Sequence, residues 1–217
     1  MRSCTPGDGY GTRSDGSRKG CMNQQLADRI RFLRAFAANP RQVGAILPTS
    51  RLAVRDMLDL GDVPGARLVV ELGAGTGSQT AEILARMGPD ARLVALEIDP
   101  RLARLLEERF DDPRLQVVFD SAENLEDHLA GEKADVLVCA LPFTSLEPGL
   151  RRRILESLPA ALGPKGVALV IQYSPLIQSE LRRLFPSVRR RISPLNVPPA
   201  FLFACSPRPE AATDQAV

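Results

Sequence analysis

Three glycines and three acids in the first two-thirds of the chain are spaced to hold a nucleoside-like ligand. The run Arg67-Leu-Val-Val-Glu-Leu-Gly-Ala-Gly-Thr-Gly77 reads as a strand that turns on glycine directly into a helix. Gly73, Gly75 and Gly77 let the backbone come close to a ligand, faced by the N–H groups that open a helix. Glu97 closes the next apolar run, 20 residues beyond Gly77, where a carboxylate can accept from both hydroxyls of a ribose. Asp120 closes the third run and is placed to take an adenine amino group. A tight turn that merely packs helix on strand is the alternative, and the agreement of the turn with both acids favours a ligand. The spacing G-x-G-x-G after Glu71 departs from the G-x-G-x-x-G of dinucleotide sites, and Ser78 follows Gly77 without the lysine of a phosphate-binding loop.

A second segment, Val138-Cys-Ala-Leu-Pro-Phe143, leaves the fourth apolar run and turns at Pro142. Phe143 and Tyr173 both follow strands at the edge where ligands bind in open α/β sheets, and their rings can face a cationic amine. A buried strand end with a core phenylalanine is the alternative at this place.

The elements that must position these residues alternate. Strands are expected at Arg67–Leu72, Arg92–Glu97, Leu115–Phe119, Ala134–Ala140, Val167–Tyr173, Val188–Ile192 and Ala200–Cys205, rich enough in Val, Ile, Leu and Phe to be buried on both faces. Helices fit between them. Asp99 can cap one that starts at Pro100, with Leu102, Leu105, Leu106 and Phe110 inward; Gly88-Pro89 and Gly163-Pro164 stop two others. Repeated β-α-β units predict an α/β fold, a Rossmann-like seven-stranded and mostly parallel sheet with helices on both faces. An amphipathic helix precedes it: Leu26, Ile30, Leu33 and Ala37 recur at helical spacing beside Phe36, among Arg29, Arg31, Arg34 and Arg41. It can lie in the headgroup layer of an anionic membrane or dock on the sheet as a lid. The division expected is a disordered tail over 1–22, the helix and lid segment over 23–62, the main domain over 63–207 and a second tail over 208–217, with Met22 a possible alternative start.

Composition sets the outer bounds. The chain has 217 residues, 44% of them hydrophobic, enough for one α/β domain with a full core. No apolar run approaches the ~20 residues that span a bilayer, and the basic start lacks an apolar signal region, so a cytoplasmic protein is expected. The four cysteines form no C-x-x-C pair and His128 is the one histidine, read as a solvated residue at a helix end, so no metal is expected. The net charge of +2 hides segregation: ten Arg/Lys against three acids over Met1–Arg55, eight against eighteen over Asp56–Thr144, and nine against three over Ser145–Ile192. Basic ends around an acidic middle suit an anionic surface, although scattered solvated arginines, Arg151-Arg-Arg153 and Arg189-Arg-Arg191 among them, give the same count.

The run E-L-G-x-G-x-G resembles motif I of class I S-adenosylmethionine-dependent methyltransferases, in which the cofactor's methionine end lies against the glycine turn. Leu141-Pro-Phe143, Gln172-Tyr173-Ser174, the stretch Phe32–Ser50 and Leu195-Asn-Val-Pro-Pro-Ala-Phe-Leu-Phe203 together resemble the soluble bacterial phospholipid N-methyltransferases, which make phosphatidylcholine from phosphatidylethanolamine. The likeness runs from about Phe32 to Phe203, with Ala74 where that family usually has Pro and Ala140 where it has Gly or Ser. It implies S-adenosylmethionine as cofactor and S-adenosylhomocysteine as product. It sets Thr49, Ser50, Glu71, Thr76 and the three glycines against the cofactor, followed by Glu97, Ile98, Asp120, Ser121, Ala122 and Ala140. It makes Leu141, through its carbonyl, and Tyr173 catalytic, and gives Arg41, Phe143, Tyr173 and Asn196 to the lipid. The implied partners are a phospholipid substrate and an anionic membrane surface at the inner face of the cell membrane, with no nucleic acid. Alternatives are an rRNA adenine N6-methyltransferase, whose Asn-Leu-Pro-Tyr segment has an asparagine where this chain has Ala140, a small-molecule amine N-methyltransferase, and a silent cofactor-binding module.

Overall fold

The computed structural model describes residues 50–196 and 198–209. The expected amphipathic helix, its arginines, Thr49 and residues 210–217 lie outside that range. Seven strands form one sheet: β1 (Leu68–Leu72), β2 (Arg92–Glu97), β3 (Leu115–Phe119), β4 (Ala134–Cys139), β5 (Leu162–Gln172), β6 (Ser187–Ser193) and β7 (Ala200–Ser206), in the order β3-β2-β1-β4-β5-β7-β6. The first five run parallel, and β7 is antiparallel to both β5 and β6. The β6–β7 connection, residues 194–199, is too short for a crossover helix, so these two strands can only pair as a hairpin. It brings residues 194–196 and 198–199 to the carboxyl ends of the parallel strands, since Phe201 pairs with Gln172.

Among the described residues, six α-helices flank the sheet. Ser50 caps α1 (Arg51–Leu58), its Oγ accepting from Ala53 N at 3.2 Å. The glycine turn feeds α2 (Ser78–Arg86), and Asp99 caps α3 (Pro100–Arg109), with Oδ1 accepting from Arg101 N at 2.8 Å. On the other side lie α4 (Leu125–Leu129), α5 (Pro148–Ala161) and α6 (Gln178–Leu184). Ala53, Met57, Ile83 and Leu84 pack with Val69, Leu93, Val138 and Leu169 into one core layer. Ala53, Val54, Met57 and Leu58 of α1 are thus part of the packed core. Leu155, Leu158, Leu181 and Phe203 are among the buried residues of the rest of the core. No helix among the described residues is long and apolar enough to cross a membrane, and no group of three His, Cys, Asp or Glu among them is placed for a metal. Cys139 and Cys205 are buried free thiols, both pushed up to about 12, chiefly by burial.

Two local expectations change. The inner face of α3 is Ala103 and Leu106, while Leu105 turns outward, because the helix seats its small residue against the sheet. The strand expected from Val167 begins at Leu162, with its register shifted between Ala134 and Val136. A Cβ on Gly166 would stand 2.7 Å from the Ala134 carbonyl oxygen, so this irregular stretch needs glycine there.

Arg114, just before β3, closes the end of α2. Its Nη1 donates to Met87 O and Gly88 O at 3.0 and 3.2 Å, and Nη2 to Leu84 O at 2.9 Å, while Asp112 holds the guanidinium through Nε and Nη2 at 2.9 and 2.7 Å. These carbonyls are the ones a helix end leaves without partners. Arg114→Ala should destabilise the fold by about 1–3 kcal/mol in urea unfolding, and Arg114→Lys should recover only part of it, because an ammonium lacks the planar fork.

Candidate active site

At the carboxyl edge of β1 the chain turns with positive φ at Gly73, Gly75 and Gly77. A Cβ on Gly73 would come within 2.8 Å of Leu141 Cδ2, so the glycine admits that side chain from the β4 turn. At Gly75 the nearest atom would be 4.0 Å away, which leaves this side of the turn open to a ligand. Gly75 N donates to Glu97 Oε2 at 2.8 Å and Asp99 N to Glu97 Oε1 at 2.9 Å. Burial raises the Glu97 pKa, opposed by the N–H bonds from Asp99 and Gly75. Each oxygen keeps a second lone pair for a hydroxyl donor.

Glu71, one strand over, is sealed in the sheet. Its Oε2 accepts from Thr80 Oγ1 at 2.7 Å, and its Oε1 is buried without a partner. Burial pushes its pKa up to about 7, with the Thr80 bond acting against it. An unpartnered buried oxygen beside a glycine turn marks a place for a donor.

Asp120 is held from its own chain segment: Oδ1 accepts from Ser121 N at 2.6 Å and Asn124 Nδ2 at 2.8 Å, and Oδ2 meets His128 Nε2 at 2.7 Å. Burial works to raise its pKa, but the bonds from His128, Ser121 and Asn124 together hold it below the ordinary carboxylate value. His128 is therefore a hydrogen-bond partner of Asp120 and not simply solvated. Phe119, paired in register with Glu97, exposes about half of its surface beside this acid.

The β4 turn is built differently from expectation. The Leu141 carbonyl already accepts from Phe143 N at 2.9 Å and from Gln172 Nε2 at 2.7 Å, which occupies both of its lone pairs. Gln172 is buried, and its Nε2 donates a second time, to Ile171 O at 2.6 Å. Two carbonyls can only face the NH2 of an amide, so its orientation is fixed and Oε1 is left as the acceptor at the strand end. Gln172 therefore presents an acceptor beside the Leu141 carbonyl, which is already engaged. Phe143 has 0% exposure, so the substrate wall expected of it is core packing. Tyr173 and Ala140 are both half-buried and packed against the core.

Asn196 is also corrected. It is buried, its Oδ1 accepting from Ser50 N at 2.9 Å and its Nδ2 donating to Pro198 O at 2.7 Å, so it ties α1 to the β6–β7 turn instead of standing free for a lipid. Ser50 spends its hydroxyl on capping α1. Thr76 is exposed at the turn and accepts from Arg109 Nη1 through its carbonyl. Ile98 follows Glu97, half-buried, and Ser121 and Ala122 are buried beyond Asp120. Arg41 and Thr49 lie outside the described residues.

A family model described as a methyltransferase domain matches residues 69–166. An ornithine lipid N-methyltransferase of Singulisphaera acidiphila is 35% identical over 83% of this chain and 96% of its own length. A ribosomal RNA small subunit methyltransferase A of Clostridium perfringens is 31% identical over 54% of this chain but only 40% of its own. The crystal structure of a precorrin-6y C5,15-methyltransferase from Geobacter metallireducens shares the fold, with a TM-score of 0.59 at 15% identity over 73% of this chain and 89% of that one.

The raised pKa of Glu71 has a consequence for stability. Between its ordinary value of 4.5 and about 7, the folded protein keeps a proton that the unfolded chain has released. Stability therefore falls as pH rises through this window, by on the order of 3 kcal/mol in full. Glu71→Gln has no charge to bury, so in ligand-free urea unfolding it should gain about that much on the parent between pH 4.5 and pH 8. Parallel pH profiles would show that Glu71 is ionised throughout.

Proposed function

Because the chain belongs to the class I S-adenosylmethionine-dependent methyltransferases, we propose that its methyl acceptor is the primary amine of a membrane aminolipid headgroup, met at the inner face of the cell membrane. The observation that carries this reading is the end-to-end likeness to a lipid N-methyltransferase, against a likeness to ribosomal RNA enzymes that spans less than half of those proteins. Phosphatidylethanolamine is the acceptor that the sequence motifs favour; the relative's name favours an ornithine lipid. Both offer a primary amine.

When bound, S-adenosylmethionine supplies a methyl group on a sulfonium, open to in-line attack by a nitrogen lone pair. The residues present fit it. In this reading Glu97, already fixed by two backbone N–H groups, accepts from the ribose hydroxyls. The orphan Oε1 of Glu71 answers the cofactor's amino group, and Asp120 faces the adenine. The remaining task is positioning, with the reacting atoms about 3–3.5 Å apart. The Oε1 of Gln172 accepts an N–H of the amine and so aims its lone pair. The apolar strand end around Leu141 and the Tyr173 ring favours the neutral amine that must attack, because low polarity disfavours the ammonium. The Tyr173 hydroxyl donates to the anionic group of the headgroup.

Two measurements test this. Glu97→Ala should lower S-adenosylmethionine affinity at least tenfold by calorimetry, at ~1.5–3 kcal/mol for each charge-assisted bond; unchanged affinity in a folded variant removes Glu97 from the site. On phosphatidylethanolamine or ornithine lipid vesicles, Tyr173→Phe should lose on the order of tenfold in kcat/KM, and Tyr173→Ala more, as the ring and its cation–π contribution go too. Cofactor affinity should stay unchanged in both. Full activity of the Phe variant would defeat the hydroxyl's role, and no transfer to either lipid by the parent protein would defeat the aminolipid reading.

A further inference from the structure

The rim of this site carries apolar side chains that the core does not use. Leu176 is 73% exposed in the turn after β5, and Leu195 is 74% exposed in the β6–β7 turn. Ile192 at the end of β6 and Leu52 in the first turn of α1 are exposed as well. Bonds between their neighbours hold these positions at one edge. Arg190, on the same face of β6 as Ile192, donates from Nη1 to Gln178 Oε1 at 3.0 Å, two residues from Leu176. Asn196, beside Leu195, holds Ser50 N at the head of α1, two residues from Leu52. Tyr173 precedes Leu176 by three residues, so this rim borders the candidate acceptor side of the site.

Charge follows a pattern around it. From Tyr173 to Ser179 and from Ile192 to Ala200 the sequence contains no charged residue, which is unusual for exposed turns. Beyond these turns stand exposed Arg51 and Arg190. The nearest acids are engaged: Asp56 accepts from Ser193 Oγ at 2.6 Å and lies 3.7 Å from Arg191, and Glu180 lies 3.4 Å from Arg151. Leucine-tipped, charge-free turns bordered by arginines match a bilayer, with apolar depth beneath anionic headgroups.

We propose that this rim, with Leu176 and Leu195 at its tips, is a surface that docks on an anionic lipid bilayer and sets the site mouth at headgroup depth. The choice of a bilayer as partner rests on the aminolipid reading. A docked rim lets a headgroup enter beside Tyr173 while its acyl chains stay in the membrane.

The chain contains no tryptophan, so a single one reports on its own position. Leu176→Trp and Leu195→Trp in the full chain are compared with Leu105→Trp, whose site on α3 is 41% exposed near the opposite end of the sheet. Vesicles of phosphatidylglycerol and phosphatidylcholine are used, with and without brominated acyl chains. Emission from positions 176 and 195 should shift to the blue and fall roughly twofold or more with brominated lipid, as for side chains seated at the acyl boundary; position 105 should do neither. Vesicle binding without a response at 176 and 195 would overturn the proposal, and so would no binding at all. A dimer by light scattering that Leu176→Ser with Leu195→Ser turns into monomer would assign the rim to a second copy and overturn it equally. These vesicles hold no methyl acceptor, so the result is independent of whether aminolipids are methylated, which the transfer assays decide separately.

Discussion

One carboxylate holds the working edge of this protein together. Glu97 takes the Gly75 N–H with one oxygen and the Asp99 N–H with the other, and so joins the glycine turn to the start of α3. The turn is further pinned by Gly73 N and Ala74 N, which both donate to Leu96 O. Gly73, lacking a Cβ, receives the Leu141 side chain, and the Leu141 carbonyl is held by Gln172. These contacts cross β2, β1, β4 and β5 in order, so the Glu97 carboxylate and the Gln172 amide are fixed by a single row. Such prior fixing matters for methyl transfer, where geometry supplies most of what a protein can add.

The edge where β5 ends is built from parts distant in sequence. Asn196 fastens the head of α1 to the β6–β7 turn, and Ser193 and Arg191 reach Asp56 on the same helix. The hairpin therefore brings its uncharged turn to the edge where β5 ends, while the arginines of β6 stay outside the sheet as an edge strand requires.

Much of this was legible in the residues. Runs of Val, Ile and Leu marked the central strands, because a strand covered on both faces leaves a continuous apolar signal, and the fold class followed; the edge strand β6, with Arg189, Arg190 and Arg191 exposed, carries little of it. The glycine turn and Glu97 were legible because their spacing is local. What was not legible depended on partners far along the chain. Asn196 looks like a free side chain until its Oδ1 is seen to accept from Ser50 N, 146 residues away, while its Nδ2 donates to Pro198 O. Gln172 looks like a strand end until two carbonyls are found facing its NH2. Phe143 and Leu105 show the same limit for packing: an aromatic after a turn and a leucine on an amphipathic helix can each go in or out, and neighbouring residues decide.

The central claim, that an aminolipid amine receives the methyl group, is tested most directly in a cell. The chain is expressed in a bacterium whose phosphatidylethanolamine and ornithine lipids carry no N-methyl groups, and total lipid and ribosomal RNA are both examined by mass spectrometry. New N-methylated headgroups, absent from cells carrying Glu97→Ala, are the predicted result. An unchanged lipid profile beside newly methylated adenine in the small-subunit RNA would contradict the account.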